Sequence, residues 1–465
     1  MKSETETSRK SQMFPPFPQE LARHYCLSLI EQIEKGSVFL QQVATESLER
    51  KGQGLMLGCL VGWDKERLER VIVYAVSGNA KKLVFLKNPG KLFDEKNVFE
   101  APSIVSAEEI TSALNKNDLE IHNLTDLIKS KKGTLKSDDF EALVQKRKVL
   151  TDQSLASVFN LYSFTAFNGK KVSLNQIIQK HYGKLPPAGT GDCCAPKLLD
   201  FAFSHNPQII SMDEVYFGPD TKNKSGGQSY PPCDSRCGYI LPYILGFEIL
   251  YRDNEIIVVN KESGLLSVSG RGPEKEDCLE KRVKAIFPDC ISQCAAHRLD
   301  METSGILILA RNKNALKNLQ MQFATSGVKK KYVALLDGIL RGKPEGHIEL
   351  KFRLDLENRP YQIYDEINGK LEITDWKKIG VEKWKNPVTG EVRDVTRIEF
   401  FPKTGRTHQL RLAASHKNGL GLAILGDSLY GKWEKGQRLM LHACEIEFKH
   451  PSSGEIMHFY CPGDF

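Results

Sequence analysis

A chain of 465 residues, 40% hydrophobic and 26% charged, is too long for one ordinary core and has the balance of a globular protein of two or three domains. It contains no apolar run near the ~20 residues of a membrane span, and its first residues, MKSETETSRKSQ, lack the apolar core of a secretory signal, so a cytoplasmic protein with no membrane partner is expected. The net charge of +7 permits a polyanionic partner without demanding one, and the eleven cysteines are expected to be reduced in that compartment.

Residues 1–20 are polar and proline-bearing. Over Leu21–Glu49 the apolar positions Leu21, Leu27, Ile30, Ile33 and Phe39 fall on roughly one side, which predicts a helix. Two β-like runs follow, GLMLGCLVGW (54–63) and RVIVYAVSG (70–78), separated by a polar turn, so a hairpin is expected. Residues 1–103 thus read as a small α+β domain in which no chemistry is visible. Over 104–165, apolar residues from Ile110 to Val158 recur at three- and four-residue steps and Gly133 interrupts them. That pattern predicts a helical arm folded as a hairpin.

Residues 166–242 are rich in glycine, proline and cysteine and read as a connecting segment. Four of the cysteines fall in two short pairs, Cys193 with Cys194 and Cys233 with Cys237, and His205 lies between the pairs. Two readings stand side by side: a tetrahedral structural zinc site on Cys193, Cys194, Cys233 and Cys237, or buried thiols that only pack. The second pair with its preceding proline is faintly similar to half of a zinc nucleoside deaminase motif. The first pair lacks the acid that such enzymes use to move protons, since Ala195 and Pro196 follow Cys194.

From 243 onward the pattern changes. FEILYRDNEIIVVNKESGLLSVSGRG (247–272) opens with two β runs around a turn at Asp253–Asn254 and runs into a glycine-bearing loop. HRLDMETSGILILAR (297–311) sets a carboxylate, Asp300, in a loop that feeds a short aliphatic run read as a buried strand. A helix is expected at 313–323, a strand through KKKYVALLDG (329–338), and paired strands over 345–400. THQLRLAASHKN (407–418) reads as a helix with Thr407 as N-cap and Gly419 as stop. ILGDSLYG (424–431) reads as a loop bearing Asp427 and Tyr430, and LMLHACEIEFKHP (439–451) follows it. His442 and His450 read as satisfied core or turn residues rather than metal ligands.

HRLD followed by TSG and an aliphatic strand resembles the active-site motif of the RluA family of RNA pseudouridine synthases. NKESGLLSV (260–268), KKKYVALLDG, GRTHQLRL (405–412), ILGDSLYG and LMLHACEIEFKHP resemble the same family in the same order, across roughly the C-terminal half. Within the glycine-bearing loop, Glu262 and Ser263 stand where that family usually has proline and a small residue.

The resemblance implies an α+β fold in which a mixed, largely antiparallel sheet is flanked by helices, with residues 243–465 as the catalytic domain. It implies isomerisation of uridine to pseudouridine in RNA, on a base flipped out of its stack. Asp300 is implied to be the essential group, acting either as nucleophile or as the base that removes the 2′ proton. Tyr332 is implied to stack on the target base and Arg411 to pair with Asp300. Arg298, Arg406, Gln409 and Leu439 are candidates for substrate binding, with lysines and arginines around 329–331 and 403–406 on phosphates. No cofactor is required, because the bond broken and the bond made are similar in energy. Ribosomal RNA is the expected substrate, with transfer RNA close behind, and a monomer is expected. Two other classes are open: a catalytically silent RNA-binding or ribosome-assembly factor, and a bifunctional protein with a metal-bearing, base-modifying N-terminal domain.

Overall fold

The computed structural model describes residues 17–42, 54–64, 66–79, 81–85, 97–131, 137–181, 185–205, 207–233, 236–272, 275–287, 289–434 and 437–465. Gly133, expected to break the helical arm, lies outside them. The chain forms two compact units, Met1–Leu245 and Gly246–Phe465.

The first unit opens with α1 (Glu20–Glu34) and β1 (Val38–Gln42), then β2 (Leu55–Asp64), β3 (Glu69–Val76), β4 (Lys81–Phe85) and β5 (Val98–Glu100). The helical reading of 21–49 holds only to Glu34. Gly36 takes a φ of +74°, which stops the helix, and Phe39 lies in a strand paired with β4. β2 and β3 form the expected antiparallel hairpin. α2 (Ala107–Lys131) and α3 (Ser137–Phe159) follow, then β6 (Ser163–Thr165), β7 (Lys171–Ser173) and α4 (Leu174–His181).

The segment 166–242 does more than connect. It supplies α5 (Cys194–His205), β8 (Gln208–Phe217) and the short α6 (Leu241–Ile244). β8 pairs with β2 along nearly its whole length and completes a sheet of order β5-β3-β2-β8. Its apolar positions Ile209, Met212, Val215 and Phe217 suit a strand, and the turn-forming residues around it masked that pattern in the sequence.

The second unit is one ten-stranded sheet. Its strands are β9 (Phe247–Arg252), β10 (Ile256–Lys261), β11 (Ser304–Ala310), β12 (Lys329–Leu336), β13 (Glu345–Leu354), β14 (Gln362–Tyr364), β15 (Lys370–Lys385), β16 (Val392–Pro402), β17 (Leu441–Lys449) and β18 (Ile456–Tyr460). Their order is β14-β13-β15-β16-β12-β17-β11-β10-β9, with β18 on β17. The helices are α7 (Leu279–Ile286), α8 (Lys313–Ala324) and α9 (Gln409–Ser415). The sheet is mixed and largely antiparallel; β11 and β17 run parallel.

Every residue of β11 is buried. Ile306, Ile308 and Ala310 pack with Ala315 and Leu319 of α8, the alternation that a strand imposes. Leu410 and Ala414 of α9 pack instead on Ala334, Leu336, Ile398 and Phe400 of β12 and β16. Asp300 and Arg411 are therefore carried by elements anchored in separate parts of the core.

α9 is shorter than the sequence suggested. Its N-cap is His408 in the left-handed region at φ +59°, with no side-chain cap, and its C-cap is His416. The helix that was to start at Thr407 and stop at Gly419 is thus two turns, because the sharp bend at His408 consumes the residues before it.

Gly305 is fixed by a close approach. It pairs with Ala443 across the parallel β11–β17 contact, has φ +122°, and a Cβ built on it would lie 2.5 Å from both the nitrogen and the oxygen of Ala443. Gly305→Ala is expected to lower stability by about 2 kcal/mol or more, read as a fall in urea midpoint at constant m-value. An unchanged midpoint would show that the two strands part easily.

Candidate active site

Two loops are bonded together to hold Asp300. The Ser267 hydroxyl donates to the Leu299 carbonyl at 2.7 Å and accepts from the Leu299 N–H at 3.0 Å. The Ser263 hydroxyl donates to the Glu302 carbonyl at 2.6 Å, and the Gly264 N–H donates to the Met301 carbonyl at 2.8 Å. Ser263 thus anchors Glu302 within the turn that begins at Asp300. Within that turn the Thr303 N–H donates to the Asp300 carbonyl at 3.1 Å. On the N-terminal side, His297 Nε2 accepts from the Ile308 N–H at 3.1 Å. Burial pulls the His297 pKa down to about 3, so the ring is a neutral fixture and not an acid–base group.

Lys261, which the sequence reading passed over, closes the clamp. Its ammonium is fully buried and donates to the carbonyls of Glu262, Leu265 and Met301 at 2.8, 2.8 and 3.1 Å. Burial pulls its pKa down to about 7, while the charges of Asp300 and Glu262 work to hold it up. Below about pH 7 the group is protonated in both the folded and the unfolded chain and adds no slope to stability. Between there and its ordinary range near 10.5, the unfolded chain holds the proton that the folded one has lost. Unfolding then takes up a proton, and stability rises with pH by up to ~1.4 kcal/mol per unit. Lys261→Met is expected to lose that rise, measured as the wild-type-minus-variant difference in urea stability at pH 7, 8 and 9. Parallel curves would show that Lys261 does not titrate there.

Asp300 itself is half-buried. Its carboxylate takes part in no hydrogen bond or ion pair among the described residues. It lies instead within electrostatic reach of Lys261, Tyr332, His408, Arg411 and Tyr430, each of which feels its charge. Tyr332, half-buried on β12, has a hydroxyl with no partner among the described residues. Burial first, and then the charge of Asp300, push its pKa up, so it stays protonated.

The expected ion pair between Arg411 and Asp300 is not formed. Arg411 Nε reaches Asp427 Oδ2 at 2.9 Å, and its Nη2 reaches both Asp427 Oδ1 and, at 2.9 Å, Glu302 Oε2. The reason is burial. Asp427 is wholly buried and needs a two-pronged cation, whereas Asp300 keeps access to water. Burial works against the charge on Arg411, but Asp427, Glu302 and Asp300 together outweigh it, so its pKa lies above the ordinary value. Asp427 Oδ1 also accepts the N–H groups of Leu429 and Tyr430 at 2.9 and 3.0 Å. The Tyr430 hydroxyl accepts the Gln362 N–H at 3.0 Å and shares a 2.8 Å hydrogen bond with His408 Nδ1. The Arg411 guanidinium sits 5.6 Å from the Tyr430 ring centroid. Arg411 acts on Asp300 through its field, not through contact.

The substrate candidates divide. Arg298 and Arg406 are exposed, and neither guanidinium has a partner among the described residues. Gln409 is buried and fully engaged: its Oε1 accepts from Thr404 Oγ1 and the Arg406 N–H, and its Nε2 donates to the Ile373 carbonyl and Thr374 Oγ1. It shapes the turn that carries Arg406. Leu439 is buried in the core cluster and supports the site from behind. Lys329 pairs with Glu447, Lys331 with Glu445 and Glu399, and Lys403 with Asp375. Lys330 donates to the Thr404 carbonyl. These four lysines are all engaged within the fold.

His442 accepts from or donates to Ser304 Oγ at 2.9 Å and meets the Cys461 carbonyl at 3.0 Å, and His450 meets Asp253 at 2.9 Å. Both are satisfied within the fold. Of the four cysteines read as a zinc set, Cys193, Cys233 and Cys237 bring their sulfurs within 4.8 Å of one another. Cys194 does not join them. It begins α5 fully buried, with its sulfur toward the carbonyls of Met56 and Ala75 at 3.2 and 3.4 Å.

Comparison with known proteins places this arrangement. The family described as RNA pseudouridylate synthase matches residues 255–416. The dual-specificity RNA pseudouridine synthase RluA of Yersinia pestis is 40% identical over 220 residues, covering 47% of this chain and 99% of that one. Its counterpart from Haemophilus influenzae is 40% identical over 227 residues, covering 48% and 95%. The Escherichia coli K12 protein of the same name is 38% identical over 220 residues, covering 47% and 93%. Among solved structures, human RNA pseudouridylate synthase domain containing 1 is similar at 28% identity with a TM-score of 0.38, over 47% of this chain and 84% of that one.

Proposed function

The chain belongs to the RluA family of RNA pseudouridine synthases, and from that premise we propose that Asp300 drives the isomerisation in a pocket poised by Arg411, Lys261 and Tyr332. The reaction breaks the bond between uracil N1 and ribose C1′, turns the released base, and joins C5 to C1′. The C5 proton leaves and N1 gains one, so the product is an isomer and no cofactor enters the balance.

The observation that carries this reading is a carboxylate with no hydrogen bond among the described residues, clamped at both ends of its loop and surrounded by groups that feel its charge. An unpartnered carboxylate can attack C1′ or take the 2′ proton without first breaking a bond to the protein. Arg411, fixed by Asp427 and Glu302, puts a guanidinium within electrostatic reach of Asp300, and a preorganised charge costs no reorganisation when the reaction begins. Tyr332 offers a ring on which the flipped base can stack. Arg298, two residues before Asp300, and Arg406, five before Arg411, would hold the flanking phosphates.

The bacterial relatives are named dual-specificity enzymes. Carried to this chain, that favours structured RNA as substrate, ribosomal RNA first and transfer RNA second. The test is tritium release from 5-tritiated uridine in each RNA, followed by mapping of the modified position. Release from neither would overturn the reading. The silent RNA-binding factor has no feature in its favour here, since Asp300, Tyr332 and Arg411 are all present.

A further inference from the structure

The first unit holds a second cluster of reactive groups that the isomerisation does not use. The sulfurs of Cys193 and Cys233 lie 3.9 Å apart, as do those of Cys233 and Cys237, and all three fall within 4.8 Å of one another. A disulfide needs about 2.05 Å between sulfurs. Two thiolates on one tetrahedral zinc, each bonded at about 2.3 Å, stand ~3.8 Å apart. The observed separations match the second figure.

The fold builds this convergence from distant parts of the chain. Cys193 is the last residue before α5, and the turn ahead of it holds Gly191 at φ +102°, where a Cβ would lie 2.7 Å from the Tyr162 ring. Cys237 opens a short 3₁₀ segment, Cys237–Tyr239, and the Gly238 N–H donates to the Cys233 carbonyl at 3.3 Å. Cys237 is buried, Cys193 half-buried and Cys233 exposed. A ligand held by the three would be fixed from the inside and reached from the Cys233 side.

A buried acid lies beside the three sulfurs. Glu214 on β8 is 3% exposed, its Oε1 accepts the Ala195 N–H at 2.7 Å, and its charge bears on both Cys193 and Cys233. Burial pushes its carboxyl up to about 8, so the acid is largely protonated near neutral pH and adds little negative charge beside the thiols. Lys197, also buried, does not approach as an ion-pair partner: its ammonium donates to the carbonyls of Val76 and Gly78 at 2.9 and 2.7 Å.

We propose that Cys193, Cys233 and Cys237 bind one zinc ion as thiolates, with the fourth position open to water on the Cys233 side and Glu214 in the outer sphere. Binding releases the thiol protons and involves no change of oxidation state. The site is independent of the synthase reading, and its failure would leave that reading untouched.

The full-length protein, purified under reducing conditions without chelator, is expected to carry about one zinc per chain by elemental analysis. Cys193→Ser, Cys233→Ser and Cys237→Ser should each lose most of it, while Cys194→Ser keeps it. Cobalt in place of zinc should give the sulfur-to-metal charge-transfer band and the intense visible bands of a tetrahedral thiolate site, and added cyanide should shift the visible bands. Bands that cyanide leaves unchanged would overturn the open position. In case a serine variant fails to fold, a chromogenic chelator monitors zinc released from the wild-type protein as a mercurial titrates its thiols. Absence of zinc from a protein whose three thiols alkylate freely would overturn the proposal. So would an intact mass about 2 Da low that recovers on reduction, because that is a disulfide.

Discussion

Asp300→Asn is expected to abolish pseudouridine formation, with tritium release falling by about 10⁴-fold or more, while the protein melts where the wild type does. The two halves of that expectation rest on one feature. The carboxylate accepts no hydrogen bond and joins no ion pair among the described residues, so the fold does not depend on it. Substitutions away from structural features usually move stability by less than about 0.5 kcal/mol. The loop that carries it is held by Ser263, Gly264, Ser267 and Lys261, which bond to the backbone of residues 299, 301 and 302. RNA binding should also survive, because the free guanidiniums of Arg298 and Arg406 are unchanged. Appreciable turnover by the variant would remove Asp300 from the chemistry. A large loss of stability would show that the carboxylate has a structural partner after all.

The sequence showed the strands of the second unit and the catalytic loop, because both are written locally. An aliphatic run after a polar turn is a buried strand wherever it occurs, and SGILILA becomes β11 with every residue buried. What could not be read was which charges meet. Arg411 is drawn to Asp427, sixteen residues on, and to Glu302, more than a hundred residues back. Depth accounts for the first of these: Asp427 has no exposure and takes both prongs of the guanidinium, while the partly exposed Glu302 shares only Nη2. An acid inside the apolar setting ILGD was the one local hint that Asp427 is buried. Lys261 gave a similar hint, a lysine closing the apolar strand IIVVN, and was passed over because lysine at a strand end is usually a solvated cap. The first unit was harder for a different reason. β8 comes after the glycine- and cysteine-bearing turns, and pairs with β2 across some 150 residues of intervening chain, a distance that local periodicity does not register.

Arg411→Met is expected to damage both folding and catalysis, and the two losses can be separated. Removing the guanidinium leaves Asp427 buried with only the N–H groups of Leu429 and Tyr430, and breaking a buried pair in this way costs about 3–5 kcal/mol. Glu302 keeps access to water and suffers less. Catalysis should fall by about 10²-fold or more, because a fixed cation within electrostatic reach of Asp300 is gone. A double variant, Arg411→Met with Asp427→Leu, replaces the pair by apolar groups of similar size and is expected to regain most of the lost stability, as buried pairs often do when both partners are exchanged. Activity should not return with it, since the field at Asp300 is still missing. The measurements are urea midpoints and tritium release on the same preparations. If activity recovers in step with stability, Arg411 serves only to hold α9 to the 424–431 loop. If stability recovers alone, the guanidinium is a positioning group for the reaction, acting on Asp300 through its charge.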